Sequence, residues 1–583
     1  MLFRSIKPKL VIGADYSGNN NTWNAANIST TNDTTYDLMI DSPTNTASGT
    51  QPVGNYCTLN PLAKSSSVTL SNANLTATGS AVSNNRPFTG TQKLFNYCYW
   101  EMTMTSFATN NARSPVGVVQ IPFSPSTFAD DTMITGSGVD TVVAQPTAGV
   151  TQANATVYSA PFTWSASDIM MFAYNNGKIW MGRNGTWWNS GDPAAGTGQV
   201  ASGMTGESVP FANCYNATVW NANFGQRPFD YTPPTGFKSF CTTNLPDSTV
   251  LQGNKYMDAT TYTGTGATQS IVNAAGFKPD LVWCKQRNGT QDHYWFDSIR
   301  GATVYLTSTS TNGDNSVANT LTSFNSNGYS SGGNSATNGS TLTYVGWQWQ
   351  AGQGTTSSNT SGSITSTVSV STTAGFSIVT YTGTGANATV GHGLGVAPSM
   401  FIIKSRSGAT DWVVYHSAIG ATKALFLNKT SAQDTSISYF NNTAPTSTLF
   451  SIGYGADVNP NTANLVAYCF AEIAGFSKFG SYTGNGSADG PFVYTGFRPT
   501  YVLIKRTDAV ENWVIFDNAR NPYNVETTTL EPNLTAADSS SPSNAAMDLV
   551  SNGFKLRCAA GINTGTWIYA AFAENPTKYA NAR

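Results

Sequence analysis

The sequence predicts an all-β chain: one β-sandwich domain followed by three tandem, smaller antiparallel β-sandwich repeats. Three observations carry that prediction. Charged residues make up only 10% of the 583 positions, against 40% hydrophobic and 12% aromatic. Gly, Ser, Thr and Asn fill the polar positions, and Ser, Thr and Asn favour turns and exposed strand faces over helix interiors. Short apolar runs alternate with period two between tight-turn dipeptides, which is the pattern of half-buried strands. Finally, one block recurs three times in the second half in nearly fixed register, the mark of a supersecondary unit copied in tandem.

Along the chain, residues 1–13 read as an N-terminal arm, 14–235 as the first sandwich and 236–253 as a connector. Residues 254–351 are repeat 1, 352–371 a Gly/Ser/Thr linker, 372–475 repeat 2 and 476–583 repeat 3. In the first sandwich, Tyr97, Tyr99 and Glu101 alternate with Cys98, Trp100 and Met102. The run Ile169–Tyr174 enters a turn at Asn176-Gly177, and Lys178–Gly182 enters another at Asn184-Gly185, so a β-meander is expected. Tyr231-Thr232-Pro233-Pro234-Thr235-Gly236 ends the domain, because two prolines and a glycine stop a continuing strand.

Each repeat opens on Tyr-Thr-Gly (Tyr262, Tyr381, Tyr482), with a Lys 23 positions later (Lys285, Lys404, Lys505). An apolar strand leads into each Lys, and Asn288-Gly289 and Ser407-Gly408 are read as hairpin turns with φ > 0 before a return strand. A Gly-aromatic step follows (Gly328-Tyr329, Gly453-Tyr454, Gly553-Phe554). The closing strand alternates Val345, Trp347, Trp349; then Val466, Tyr468, Phe470; then Ile568, Ala570, Phe572, all on one core-facing side. Almost no spare residues separate repeats 2 and 3, so tight packing is expected between them.

Composition excludes several classes. A net charge of −2 gives no electrostatic case for nucleic acid binding. No stretch approaches the ~20 apolar residues of a membrane helix, and no apolar core follows Met1–Lys7 to make a signal peptide. Seven cysteines without a Cys-x-x-Cys pair, and only three histidines, argue for reduced buried thiols and against zinc. No cofactor is expected. Calcium held by Asp and Asn loops stays open, since no spacing specifies it. The sequons at Asn74, Asn154, Asn184, Asn216 and Asn387 follow from an Asn/Ser/Thr-rich composition.

Four candidate sites arise. Trp187, Trp188, Asn189 and Asp192 combine aromatic rings with polar groups, as a sugar contact needs, yet adjacent Trp residues on a strand face opposite ways and one belongs to a core. The repeated Lys285, Lys404 and Lys505 and the acid or amide seven positions on (Asp292, Asp411, Asn512) make either a ligand-binding pair or a cross-strand pair that fixes register; the second reading is preferred. Asp297, His416 and Asp517 share one repeat position, and a change from acid to imidazole speaks against catalysis there. A glycosidase needs two converging carboxylates. Only seven Glu occur, none in a catalytic motif, and the match of Glu472 with Glu574 reads as structural because repeat 1 has Gln350 or Ala351 there.

The segment Gly177–Trp187 resembles the central hairpin of SPRY-type, concanavalin-like sandwiches, and Asn223–Phe229 resembles their closing strand. Asp15–Asn19 is similar to the start of laminin-G-like lectin domains. The repeats, with Tyr-Thr-Gly, Lys-x-Arg and Ala571–Pro576, resemble a repeat that follows such domains in tail and fibre proteins of bacteriophages, notably marine ones. Repeat 3 departs locally, with Arg506-Thr507 in place of Gln286-Arg287 and Ser405-Arg406. The resemblance implies a non-enzymatic virion surface protein, made in the host cytoplasm and placed on the tail rather than the head. It would be a tail fibre, spike or receptor-binding component that adheres to host-surface glycan, with other virion proteins as partners and a homotrimer as the assembly. The alternatives are a capsid or tail decorating protein and a polysaccharide-degrading tailspike. The resemblance carries no catalytic or ligand residues.

Overall fold

A computed structural model describes residues 55–81, 85–107, 114–121, 141–145, 149–152, 155–159, 162–204, 207–245 and 249–573. The expected arm, the lectin-like start at Asp15–Asn19, the sequon at Asn154, and Glu574 with the end of the Ala571–Pro576 motif lie outside the described residues. The chain divides into two compact units, one within Met1–Pro246 and one spanning Asp247–Thr577.

The first unit is a sandwich of two large sheets. One has seven strands in the order Leu59–Lys64, Asn85–Gly90, Ser208–Tyr215, Val116–Gln120, Thr141–Gln145, Gly149–Gln152 and Ala155–Tyr158. The other runs Thr186–Trp187, Lys178–Arg183, Asp168–Asn175, Cys98–Ser106, Val219–Asn223, Thr76–Gly79 and Val68–Ser71. The expected meander is the first three strands of this second sheet. Its turns carry the left-handed residues Asn176 and Gly177, then Asn184 and Gly185, the geometry that suits a two-residue hairpin. Period two sends Cys98, Trp100, Met102 and Met104 into the sandwich core with Trp164, Trp220 and Phe88. Tyr99 and Glu101 face the other way yet are fully buried, because residues 229–237 cover that face.

The second unit holds all three repeats. In each, the Tyr-Thr-Gly strand pairs with the closing strand, which pairs with the Lys-bearing strand, which pairs with its return strand. In repeat 1 these are Met257–Thr263, Thr343–Trp349, Leu281–Gln286 and Tyr294–Asp297. In repeat 2 they are Phe376–Thr382, Asn464–Phe470, Met400–Ser405 and Val413–His416. In repeat 3 they are Ser477–Thr483, Thr566–Ala573, Pro499–Arg506 and Trp513–Asp517. A smaller sheet covers one face and encloses a private core: Ile271, Val282 and Tyr329 in repeat 1, Val390, Phe401 and Phe450 in repeat 2, Val493, Val502 and Phe554 in repeat 3.

The opposite faces of the three main sheets share one core. All nine alternating residues of the closing strands lie in it, as expected for one core-facing side. The repeat-equivalent Trp349, Phe470 and Phe572 form a nearly equilateral triangle, with ring centroids 6.2, 5.9 and 6.0 Å apart. All three contacts are edge-to-face, each contributing about 0.5–1.5 kcal/mol beyond burial. This triangle marks a pseudo-threefold axis within a single chain. A cavity of ≈ 20 Å³ lies there, lined by apolar side chains that include these three. A sheet buried on both faces also explains why the Lys-bearing strands are continuous apolar runs rather than alternating ones.

Three expectations need correction. Residues 352–371 are not a bare linker: Ser357–Asn359 and Ser366–Ser371 are strands, and the second pairs with Phe376–Thr382 at the edge of the repeat 2 sheet. The β-branched Thr367, Val368 and Val370 among its serines supply that strand. The Gly453-Tyr454 step lies beyond its strand, and Tyr454 is exposed; Phe450, opposite Val390, fills the place of Tyr329 and Phe554. Gly289 and Gly408 do not adopt positive φ. The loop after each Lys is wider than a two-residue hairpin because it wraps around the ammonium group.

Candidate functional site

In the first unit, Trp187 and Trp188 are each half-buried and point to opposite faces. Trp187 packs edge-on to Tyr99, at 6.3 Å, outside the sandwich. Trp188 lies against Phe162, at 5.3 Å, on the core side. Asn189 and Asp192 are exposed at the adjoining turn. Their polar atoms also brace it: Asn189 Nδ2 donates to the Gln199 carbonyl and Asp192 Oδ1 accepts from the Ala195 N–H. The four residues therefore meet at one surface turn, with one ring on each side.

Glu101, beneath this face, gave no sequence signal as a site. Its carboxylate accepts from Tyr99 Oη at 2.8 Å, from the Asp230 N–H at 3.0 Å and from the Tyr231 N–H at 2.9 Å. Burial pushes its pKa up to about 7, and the backbone donors oppose that rise. It ties the segment after the closing strand to the sheet.

In the repeats, Lys285, Lys404 and Lys505 do not hydrogen-bond the acid or amide seven positions later. Asp292 accepts from Thr309, Asp411 from Asn428 and Lys429, and Asn512 Oδ1 from Asn533 Nδ2. The cross-strand pair is thus replaced by a contact that local spacing does not reveal. Each Lys shares the axis-facing side of its strand and reaches a neighbouring repeat. Lys404 Nζ donates to Thr311 O of repeat 1 (2.8 Å), Lys505 to Thr430 O of repeat 2 (3.0 Å) and Lys285 to Thr535 O of repeat 3 (3.1 Å). Those three bonds close a ring. Burial lowers all three lysine pKa values to about 8.

The position shared by Asp297, His416 and Asp517 completes the ring. Asp297 accepts from Tyr468 Oη of repeat 2 (2.8 Å), and Asp517 from Trp347 Nε1 of repeat 1 (3.0 Å). Each Asp also binds the guanidinium three residues on, Arg300 or Arg520, with both side chains of each pair fully buried. Each Arg reaches a second acid, Asp314 (3.1 Å) or Asp538 (3.0 Å), which in turn binds an Arg of the next repeat, Arg406 (2.8 Å) or Arg287 (2.7 Å).

The third interface, between repeats 2 and 3, lacks every member of that network. His416 replaces the Asp, Ile419 the Arg, Gln433 the second acid and Thr507 the far Arg; the backbone bond from Gln433 N to Thr507 O matches those from Asp314 N to Arg406 O and from Asp538 N to Arg287 O. The ring donor is gone as well, because Ala570 stands where Trp347 and Tyr468 do. An Asp here would be a buried carboxylate with neither Arg nor ring donor. His416 Nε2 instead bonds the Tyr569 carbonyl (3.1 Å), while Nδ1 accepts from the Ala418 N–H (3.2 Å). The departure at Arg506-Thr507 is one part of this concerted exchange, and Arg506 turns to Asp508.

Burial lowers the His416 pKa to about 4. A depressed histidine contributes stability that is present above its unfolded value near 6.5 and is lost as pH falls through the folded value. His416→Gln is therefore expected to remove about 3 kcal/mol of the loss between pH 6.5 and 4. Calorimetric unfolding of both proteins across that range checks it; parallel pH profiles would refute it.

Among the described residues, no group of three or more His, Cys, Asp or Glu is placed to hold a metal ion. Glu472 pairs with Lys478 at 2.8 Å.

Residues 252–576 match the model of a family described as a domain of unknown function, DUF7483. No curated protein matches the chain. Solved structures similar to it include the SPRY domain of human HERC1 (14% identity, 28% of this chain and 96% of that one, TM-score 0.22). The Neuralized NHR1 domain of Drosophila melanogaster is similar over 28% of this chain and 96% of its own (10% identity, TM-score 0.19). So is the lumenal domain of VIP36 in its Ca2+/Man-bound form, over 33% and 91% (9% identity, TM-score 0.19).

Proposed function

We propose, on the premise that this chain belongs to the DUF7483 family, that it is a non-catalytic structural and attachment protein of a bacteriophage virion. In this reading it is a tail fibre or spike component that adheres to host-surface polysaccharide. One observation carries the proposal: the charged side chains that recur between repeats are spent on joining the repeats to one another. Lys285, Lys404 and Lys505 and the Asp–Arg–Asp–Arg networks all face inward, towards repeat–repeat contacts. What the repeats present outward is dominated by uncharged Ser, Thr and Asn, suited to many weak polar contacts whose sum gives avidity.

The chain carries three equivalent repeats about its own axis, so threefold presentation does not require a homotrimer. In the first unit, the half-buried Trp187 and Trp188 beside exposed Asn189 and Asp192 support a sugar-stacking surface on the same particle-facing or host-facing protein. A decorating protein of the capsid or tail is the competing reading.

Immunogold electron microscopy of intact phage, with antibody to residues 476–583, separates the two. Gold at the distal tail or on fibres is the expected result. Gold spread over the head would overturn the adhesive reading in favour of decoration.

A further inference from the structure

The three Tyr-Thr-Gly strands each lie at the same place in their sheets, but their outer edges meet different fates. In repeat 2 the edge is filled: Thr367, Ser369 and Ser371 lie opposite Thr380, Ile378 and Phe376 in an antiparallel ladder. In repeat 3 it is partly used, since Ser477 N–H donates to Ile473 O (2.9 Å) and Phe479 N–H to Glu472 Oε2 (3.5 Å). In repeat 1 no described strand pairs with that edge. Tyr256 and Gly264 bond the closing strand's flanks, so antiparallel alternation turns the backbone groups of Met257, Ala259, Thr261 and Thr263 outward. No described group bonds the N–H of Ala259 or Thr261.

A groove of ≈ 390 Å³ runs along that edge. Asp258, Thr261 and Val272 of repeat 1 line one side, Thr500 and Asn518 of repeat 3 the other. By repeat register, Thr500 and Asn518 stand where repeat 1 has Asp280 and Ser298. Asp280 is the anchor of the filled edge: it accepts from the N–H groups of Ala351 (2.8 Å), Gln353 (2.7 Å) and Gly354 (2.8 Å), which lead the chain towards Ser366–Ser371. The open groove thus has the walls of the filled one, with an uncharged Thr500–Asn518 hydrogen-bonded pair in place of the anchoring acid.

We propose that the edge Met257–Thr263 is a docking site for an extended, uncharged Ser/Thr/Val-rich polypeptide segment of another protein, added as an antiparallel strand. The molecule itself shows the occupant's chemistry, because Ser-Thr-Val-Ser-Val-Ser is seated on the equivalent edge of repeat 2. Main-chain bonds give such a site its affinity, and alternate side chains give it selectivity. The inference does not depend on the adhesive reading, since a strand donor could be any protein of the assembly.

The test uses the full chain and a synthetic peptide of residues 364–372, followed by hydrogen-exchange mass spectrometry. In the free protein, exchange in 257–263 is expected to exceed that in 376–382. Peptide at about 1 mM, a concentration suited to weak strand addition, should slow 257–263 by about tenfold or more. The same peptide N-methylated at Thr367 and Ser369 should give no protection. Ala259→Pro should abolish the effect while keeping the closing-strand ladder, because that N–H points outward. The proposal is overturned if the unmodified peptide leaves 257–263 unprotected, if the N-methylated peptide protects equally, or if only a polysaccharide or self-association protects this edge.

Discussion

Replacing Asp297 with Ala is expected to destabilise the repeat unit by about 3–5 kcal/mol, because it strips a fully buried guanidinium of its main partner. Arg300 Nε and the Tyr468 hydroxyl both lose their acceptor, and neither is reached by water. The molecule also indicates how to repair the damage, since its third interface dispenses with the whole network. Asp297→His combined with Arg300→Ile, Asp314→Gln, Arg406→Thr and Tyr468→Phe carries the repeat 2–repeat 3 solution onto the repeat 1–repeat 2 interface, with the buried ring of residue 468 kept because it packs on Trp295 in the shared core. Exchanging a buried ionic set for an uncharged one is often neutral, so this variant should fall within about 2 kcal/mol of the native protein. Urea unfolding followed by tryptophan fluorescence measures both. A single substitution costing under about 1 kcal/mol would show that the pair behaves like a surface ion pair. A combined variant no better than the single one would show that the network specifies the interface.

How much of this was legible in the sequence depends on whether a contact is local. The strands, the Asn-Gly turns of the first sandwich and the inward face of the closing strands follow from period-two alternation, so they could be read directly. The opposite facing of Trp187 and Trp188 follows from the same rule. The role of Lys285, Lys404 and Lys505 did not, because their acceptors Thr535, Thr311 and Thr430 sit in loops of another repeat and carry no pattern. The spacing to Asp292, Asp411 and Asn512 was constant, yet constancy came from loop length rather than from a bond. Asp-x-x-Arg at 297–300 and again at 517–520 was visible in register, but His416 and Ile419 broke the match. Only the three-dimensional ring shows that the mismatch is a coordinated exchange. The strand Ser366–Ser371 was hidden by serines whose intervening valines supplied the real signal.

Lys404→Met is expected to cost about 2–4 kcal/mol at pH 7, and the cost should grow as pH rises. The ammonium donates to Thr311 O (2.8 Å), Ser405 O (3.1 Å) and Thr410 Oγ1 (3.1 Å), so a thioether leaves buried acceptors unmet. Burial also lowers the lysine pKa from its ordinary value of 10.5 to about 8. Between those values the unfolded chain holds a proton that the folded chain has released, so the native protein gains stability with rising pH there. The gain from Lys404 is fully present above 10.5 and lost as pH falls through 8. The variant lacks it, so the gap between the two proteins should widen by up to about 3 kcal/mol from pH 7.5 to 10.5. Taking the difference cancels the opposing effect of the buried thiols of Cys284 and Cys469, which burial pushes up and which therefore lose stability in alkali in both proteins. Urea unfolding at pH 7.5 and pH 10 reads the gap. If it narrows instead, the charge itself holds the ring together and burial is not what governs this lysine. If it widens, the repeated lysine acts through its hydrogen bonds to the neighbouring repeat, and the ammonium charge is the cost of placing it there.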